Sequence, residues 1–439
     1  MSILSLMPLI VTASGAYFLV RLRFFFLLHP KRCIKTAIEN LKSDGAFSSF
    51  ALALAGTLGI GNIVGVAVGI SVGGSGAVFW LVLSSLFSAV IKYCEGAISV
   101  DLGEGKGMIG VVEKSFGRAS FPLSRAYALL TLALAFTMGG ALQSASIAQC
   151  ARECFHVKGV LAAVFILLLL FFSVAGNYEK VKIIINILIP LTTIIYIFLC
   201  FATLIANFRN IDDAIISVFS SAFKAESVGG GALGFFLSKK IKEGYLRAIL
   251  SNEAGAGTSS IAHSLNPSKN LASVGIMGMC EVLFDTVILC GLTALALLVS
   301  VDDFSAFSGV GAVLSGIGSV FGAVSEYLVF VCIFAFAFST LICWYFYGNF
   351  VFRILFLGKG GIVFSSLFFI SVFLGACRGG DFLITVSDVI LLLLSFISLA
   401  SLMKNSDRVV ALSENYGIIS PRKCQEKQTS IRRKYNRED

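Results

Sequence analysis

The sequence predicts an all-α polytopic membrane protein, with one extra N-terminal helix followed by a five-plus-five inverted repeat, eleven transmembrane helices in all. Three observations lead there. The 439 residues are 57% hydrophobic and only 13% charged, roughly half the charge of an ordinary soluble domain. Apolar runs that meet or approach the ~20 residues needed to cross a bilayer recur along the whole chain. Lys and Arg collect in alternate loops, as cytoplasmic loops require. The same composition argues against a soluble enzyme, a nucleic-acid reader and a secreted disulfide scaffold.

The candidate spans are 3–27, 46–71, 76–100, 123–150, 159–176, 181–206, 212–238, 271–300, 319–347, 361–378 and 381–403. The seventh is interrupted by Lys224 and Glu226. The first run, from Ser2 to Val20, has no basic residue before it and a dense basic stretch after it. A signal peptide has the reverse arrangement, so the run reads as an uncleaved span with its N-terminus outside. In that topology the loops placed outside hold only Arg152, Lys158, Arg209, Lys224 and Arg378, and Lys92 falls within a span. All other Lys and Arg residues, among them Arg21 to Lys42, Lys239, Lys240, Lys242 and Arg247, fall inside. The net charge of +9 is thus a cytoplasmic signature, with a C-terminal tail suited to anionic lipid. The eleven cysteines are scattered without metal-ligand spacing and read as packing residues.

Residues 1–45 form the extra helix and a basic linker, 46–206 the first repeat, 207–403 the second and 404–439 a basic tail. Five is odd, so the second repeat enters the membrane from the opposite side. In such proteins the site lies where the first helix of each repeat is interrupted. The first repeat opens with Gly56-Thr57-Leu58-Gly59-Ile60-Gly61-Asn62, and the matching region of the second holds Gly229-Gly230-Gly231-Ala232-Leu233-Gly234. Glycine costs about 1 kcal/mol relative to alanine in a helix, so unwinding is expected at both, with close helix packing the rival explanation. An unwound stretch exposes peptide groups that hydrocarbon cannot satisfy. The N–H groups of Ile60, Gly61 and Asn62 suit a carboxylate; the carbonyls of Ala55 and Leu58 suit a cation. A zwitterion with Na⁺ fits both.

Ala55-Gly-Thr-Leu-Gly-Ile-Gly-Asn-Ile-Val-Gly65 with Gly73-Gly-Ser-Gly-Ala-Val-Phe-Trp80 resembles the alanine/glycine:cation symporters. So do Ser251-Asn-Glu-Ala-Gly-Ala-Gly257 with Ile261-Ala-His263, Glu281-Val-Leu-Phe-Asp-Thr286, and Phe336 to Gly348. The resemblance covers roughly residues 10 to 400. It implies a LeuT-like fold and transport of small neutral amino acids, chiefly alanine and glycine, with Na⁺ or H⁺. Ile60 stands where the family usually has threonine, Ser75 where it usually has proline, and the loop from Gly103 to Met108 is abbreviated.

The resemblance implies that Ser339 and Thr340 supply hydroxyl oxygens to Na⁺, together with the carbonyls of Ala55 and Leu58; the alternative is bonding back to their own helix. It also implies that Gln143 contacts the amino acid, against a purely interhelical hydrogen bond. Trp344, one turn after Thr340, is read either as a cap on a small substrate or as an interfacial aromatic. Gly56, Thr57, Gly59, Ile60, Gly61, Gly229 and Gly230 complete the expected substrate site. Asn62 belongs to it too, although capping a half-helix is its expected single role. Glu281 and Asp285 share a helix face within an apolar span and are proton-site candidates, with hydrogen bonding to an unwound segment as the structural reading. That reading is preferred for both, and for Glu95 and Asp388. Ser251 to His263 falls in an expected cytoplasmic loop. Without a Gly-x-Ser-x-Gly elbow it is no hydrolase signature, and Glu253 and His263 are assigned to an inner gate.

The expectation is a transporter, not an enzyme: cation-coupled uptake of alanine or glycine by alternating access in a bacterial or archaeal plasma membrane, with no cofactor and Na⁺ as the coupling ion. The alternatives are proton coupling and a non-transporting amino-acid sensor.

Overall fold

The structure, a computed structural model, describes residues 3–42, 45–175, 178–224, 238–266, 268, 270–307 and 309–419. Among them every regular element is helical. In chain order they are α1 (Met7–Arg21), α2 (Phe25–Leu28), α3 (Pro30–Leu41), α4 (Ala46–Thr57), α5 (Val64–Gly73), α6 (Gly76–Leu102) and α7 (Met108–Ser115). Then come α8 (Ser120–Leu134), α9 (Gln143–Phe155), α10 (Gly159–Val174), α11 (Tyr178–Ala206), α12 (Ile211–Ala222), α13 (Lys239–Asn252) and α14 (Ser260–His263). The last are α15 (Leu271–Val282), α16 (Gly291–Ser300), α17 (Gly309–Gly316), α18 (Ala323–Leu355), α19 (Gly361–Arg378), α20 (Asp381–Lys404) and α21 (Ser406–Asn415).

Among the described residues, eight helical rods are long and apolar enough to cross a membrane, and α4, α5 and α10 are shorter apolar helices. Burial sorts the rods into an inner and an outer set. α6, the α8–α9 rod and α18 are each 72% buried over their most apolar stretch, whereas α19 is only 28% buried. The outer helices turn residues such as Phe172, Ile194 and Ile362 outward, an apolar surface suited to lipid.

At the centre lie two interrupted helices, α4–α5 and α13–α14, running antiparallel. Gly61 lies against Leu250 and Ser251, Gly69 against Arg247 and Gly73 against Glu243; on the other side of the break Ser49 Oγ donates to the Ala262 carbonyl at 2.8 Å. The first interruption comes where Gly59 is extended (φ −116°, ψ −153°), followed by a short 3₁₀ turn, Ile60–Asn62. The second spans residues 253–259 and takes left-handed backbone at Glu253 (φ 54°), Gly255 (φ 89°) and Gly257 (φ 75°). Only glycine adopts that conformation freely, so two of the three turns have the residue they need and Glu253 is the strained one.

This arrangement corrects two expectations. Ser251 to His263 is not a cytoplasmic loop: Ser251, Asn252, Glu253, Thr258, Ser259, Ser260 and His263 are all buried. The interrupted helix packed against α4–α5 is α13–α14, C-terminal to the span expected at 212–238. Helix α12 lies across one end of the bundle: Asn210, just before it, donates to the Val299 carbonyl, and its last residue, Ala222, accepts from Trp80 Nε1. Residues 225–237, including the expected Gly229–Gly234 break with Gly229 and Gly230, lie outside the described residues. A second consequence concerns charge. The start of α13 sits beside Gly73, at the end of the bundle opposite the Arg21–Lys42 linker. Lys239, Lys240 and Lys242 therefore do not share an end with that linker, as the expected topology had it, and Arg247 is buried in an ion pair with Asp388. The imbalance of basic residues narrows but keeps its sign.

Two further irregularities place side chains. Residues Ala135–Leu142, joining α8 to α9, and Leu283–Cys290, joining α15 to α16, are wound as π-helix. The first ends at Gln143 and the second contains Asp285. Wide turns of this kind recur at functional sites.

Candidate functional site

Where α4 ends, backbone oxygens converge on α18. Thr340 Oγ1 lies 2.9 Å from the Ala55 carbonyl, 3.3 Å from that of Leu58 and 3.0 Å from that of Phe336. Ser339 Oγ lies 2.8 Å from the same Phe336 carbonyl. A threonine hydroxyl has one proton to donate, so three carbonyl oxygens around it are more acceptors than it can serve. Five oxygens, all from neutral groups, thus cluster at the C-terminal, negative end of a half-helix. Oxygen-only ligation suits a hard cation, and the absence of carboxylate from this set suits a single positive charge. Ala55, Leu58 and Thr340 are brought together, whereas Ser339 Oγ meets the Phe336 carbonyl of its own helix. The Phe336 carbonyl was missed; its position one turn before Thr340 was the available signal.

The opposite side of the same break presents a donor. The Ile60 N–H points at Gln143 Oε1 at 3.2 Å, and Gln143 Nε2 donates to the Met138 carbonyl at 3.2 Å within the π turn. A Cβ on Gly59 would come within 2.8 Å of Thr340 Oγ1 and 3.0 Å of Gln143 Oε1. Gly59 is thus the common wall between the oxygen cluster and Gln143. Trp344 is fully buried, its ring against Gly139 and its Nε1 donating to the Gly56 carbonyl at 3.3 Å. It is no interfacial aromatic; it closes the cell around the break.

The sequence expected Asn62 to cap a half-helix, but no side chain caps the start of α5. Asn62 Nδ2 reaches Ser251 Oγ (2.9 Å) and the Asp285 carboxylate, while Ser251 Oγ donates to Asp285 at 2.5 Å. Asn62 Oδ1 is buried with no partner among the described residues. Asn62 therefore ties the first break to the second and to the π turn of α15–α16. The sequence offered a sign of this second break in Gly255 and Gly257, but its polar residues were read as a water-exposed loop.

Glu281 and Asp285 share a face and are both fully buried, yet they serve different groups. Asp285 belongs to Asn62, Ser251 and Thr286. Glu281 is 3.4 Å from Lys92 Nζ, 3.1 Å from His263 Nε2 and 3.4 Å from Thr57 Oγ1. Thr57 otherwise bonds back to the carbonyls of Ala53 and Leu54. Glu253 accepts from Thr258 within its own turn, Glu95 from Ser398, and Asp388 from Arg247. Lys92 was not singled out from sequence, although a lone ammonium inside an apolar span was visible there.

The model of the sodium:alanine symporter family matches residues 1–431. The sodium/alanine symporter AgcS of Methanococcus maripaludis is 27% identical over 407 residues, covering 88% of each chain. A sodium/proton-dependent alanine carrier protein of Bacillus sp. PS3 is 26% identical over 337 residues, covering 71% of this chain and 74% of the carrier. An uncharacterized transporter of Haemophilus influenzae is 27% identical over 429 residues, 93% of each. Among solved structures, the manganese transporter of Eremococcus coleocola matches with a TM-score of 0.48 and 14% identity, over 84% of this chain and 91% of that one.

Proposed function

The chain belongs to the sodium:alanine symporter family, and from that premise we propose that it takes up alanine or glycine with one Na⁺ by alternating access across a prokaryotic plasma membrane. The observation that carries this reading is the first break: five neutral oxygens on one side of Gly59, and the Ile60 N–H with Gln143 on the other. In this reading the ion sits among the carbonyls of Ala55, Leu58 and Phe336 and the hydroxyls of Ser339 and Thr340. The substrate carboxylate takes the Ile60 N–H and displaces Gln143. Asn62 Oδ1, buried and unpartnered, is an acceptor within reach of the break for the ammonium group. Trp344 limits the guest to a small side chain. The two antiparallel interrupted helices support a LeuT-like inverted repeat over 46–206 and 207–403, with the N-terminus outside, and rocking of one bundle about the paired breaks would expose the site alternately.

One Na⁺ supplies enough energy. A membrane potential is worth about 2.3 kcal/mol per charge per 100 mV, and a tenfold ion gradient adds ~1.4 kcal/mol. At about 150 mV these reach ~5 kcal/mol, an alanine gradient of several thousandfold.

Proteoliposomes should accumulate labelled alanine only with an inward Na⁺ gradient, and faster with the interior negative. Equal uptake in choline medium would reject sodium coupling. Uptake driven by a pH gradient without sodium would favour proton coupling instead, for which the buried Glu281–His263 contact is the supporting observation.

A further inference from the structure

The two breaks are not alike. At the first, the carbonyls at the end of α4 are faced by the Thr340 hydroxyl and the Trp344 indole N–H, both uncharged. At the second, the half-helix α13 ends at Asn252, whose carbonyl accepts from Lys92 Nζ at 2.6 Å. Both ends carry the partial negative charge of a helix C-terminus, but among the described residues the second alone has a positive charge on it, covalently attached to α6.

The surroundings hold Lys92 in that place. It is fully buried, and its ammonium is also 3.4 Å from Glu281 Oε1. Glu281 in turn meets His263 and Thr57, so this buried pair has the additional hydrogen bonds that burial demands. Helices α6 and α15 approach closely through Gly96 and Gly275. A Cβ on Gly278 would lie 3.2 Å from His263 Nε2 and 3.3 Å from Lys92 Cγ, so the missing side chain at Gly278 is room for the lysine and the histidine. Asn252 is itself fixed, donating to Thr286 and accepting from the Ala254 N–H.

We propose that Lys92 is a tethered cation: its ammonium occupies the second break as the coupling ion occupies the first. Lys92 positions the broken end of α13 without touching substrate. This inference rests on the sodium-coupled reading above, because it assigns the one exchangeable cation to the Ala55–Thr340 cluster. The oxygens around Lys92, the Asn252 carbonyl and the Glu281 carboxylate, form a cation site whose ligand cannot leave.

The test is cation stoichiometry. Purified wild-type protein should bind about one ²²Na⁺ per chain, and the Hill coefficient for Na⁺ in alanine uptake should be about one. Lys92→Met removes the charge and keeps the bulk. It should bind about two ²²Na⁺ per chain, with a Hill coefficient near two, and Lys92→Met/Glu281→Gln should return the stoichiometry to one. Two ions bound by the wild type would overturn the inference whatever the variants do, as would a Lys92→Met protein that transports with unchanged stoichiometry. No ²²Na⁺ bound by the wild type would overturn the sodium-coupled reading, and this inference with it.

Discussion

At the scale of single residues, Thr340 is the side chain that most directly separates ion binding from helix packing. Ser339 touches only a carbonyl of its own helix, whereas Thr340 also reaches Ala55 and Leu58 on the interrupted helix. Hydrogen-bond-strength contacts to a charged group are worth roughly 1.5–3 kcal/mol. Thr340→Val should therefore raise the half-saturating Na⁺ concentration for alanine uptake by about tenfold to a hundredfold, with a smaller effect on alanine affinity at saturating sodium. Unchanged sodium dependence would remove Thr340 from the ion site. Ser75 has a use that a proline there would lack: its hydroxyl donates to the Ser217 carbonyl at 3.1 Å, tying the start of α6 to α12.

At the scale of elements, the proposed function depends on two unwound stretches lying side by side. Gly61 is the contact point: a Cβ there would sit 3.1 Å from the Leu250 carbonyl and 3.2 Å from Ser251 Cα. Backbone cannot yield as a flexible side chain can. Gly61→Val should push the interrupted helices apart at a cost of about 1–3 kcal/mol, abolishing alanine binding and uptake. Gly65→Ala, whose Cβ would meet Leu250 Cδ2 at 3.6 Å and the Ile60 carbonyl at 3.9 Å, both ordinary contacts, should transport close to wild type. Equal behaviour of the two variants, read by uptake and by thermal melting in detergent, would show that the spacing of the breaks does not matter. The first break was legible in the sequence because three glycines crowd an otherwise apolar run. The second was not, because its glycines stand among Ser, Asn, Glu and Thr, and a polar segment in one dimension has the same appearance whether it faces water or a partner's buried peptide groups.

At the scale of the whole molecule, the topology turns on where α13 begins. The basic residues of Lys239 to Lys242 suggested the cytoplasm, but contact of Glu243 with Gly73 brings them to the opposite end of the bundle from the Arg21–Lys42 linker. With the N-terminus outside, a cysteine at Lys239→Cys should react with a membrane-impermeant maleimide on intact cells, and one at Lys114→Cys should not. Labelling of both, or of Lys114→Cys alone, would reverse or break the proposed orientation. The outer helices α10, α11 and α19 carry little of this logic. Their exposed faces hold the inner helices in a lipid-facing sheath.

Composition and the recurrence of apolar runs by themselves determined the membrane class, the glycines of the first break determined where that helix is interrupted, and the motif stretches carried the family resemblance that pointed to Ser339 and Thr340. These are local properties: hydrophobicity is summed residue by residue, and a helix end exposes its own carbonyls wherever it stops. Only the tertiary structure decided that α12 lies across the bundle, that Ser251 to His263 is a buried break, and that Lys92 reaches Asn252 and Glu281. Each of those depends on which remote segment supplies a partner for a polar group, and in a bilayer core, where water is not available as a substitute, that partner is a matter of packing in three dimensions.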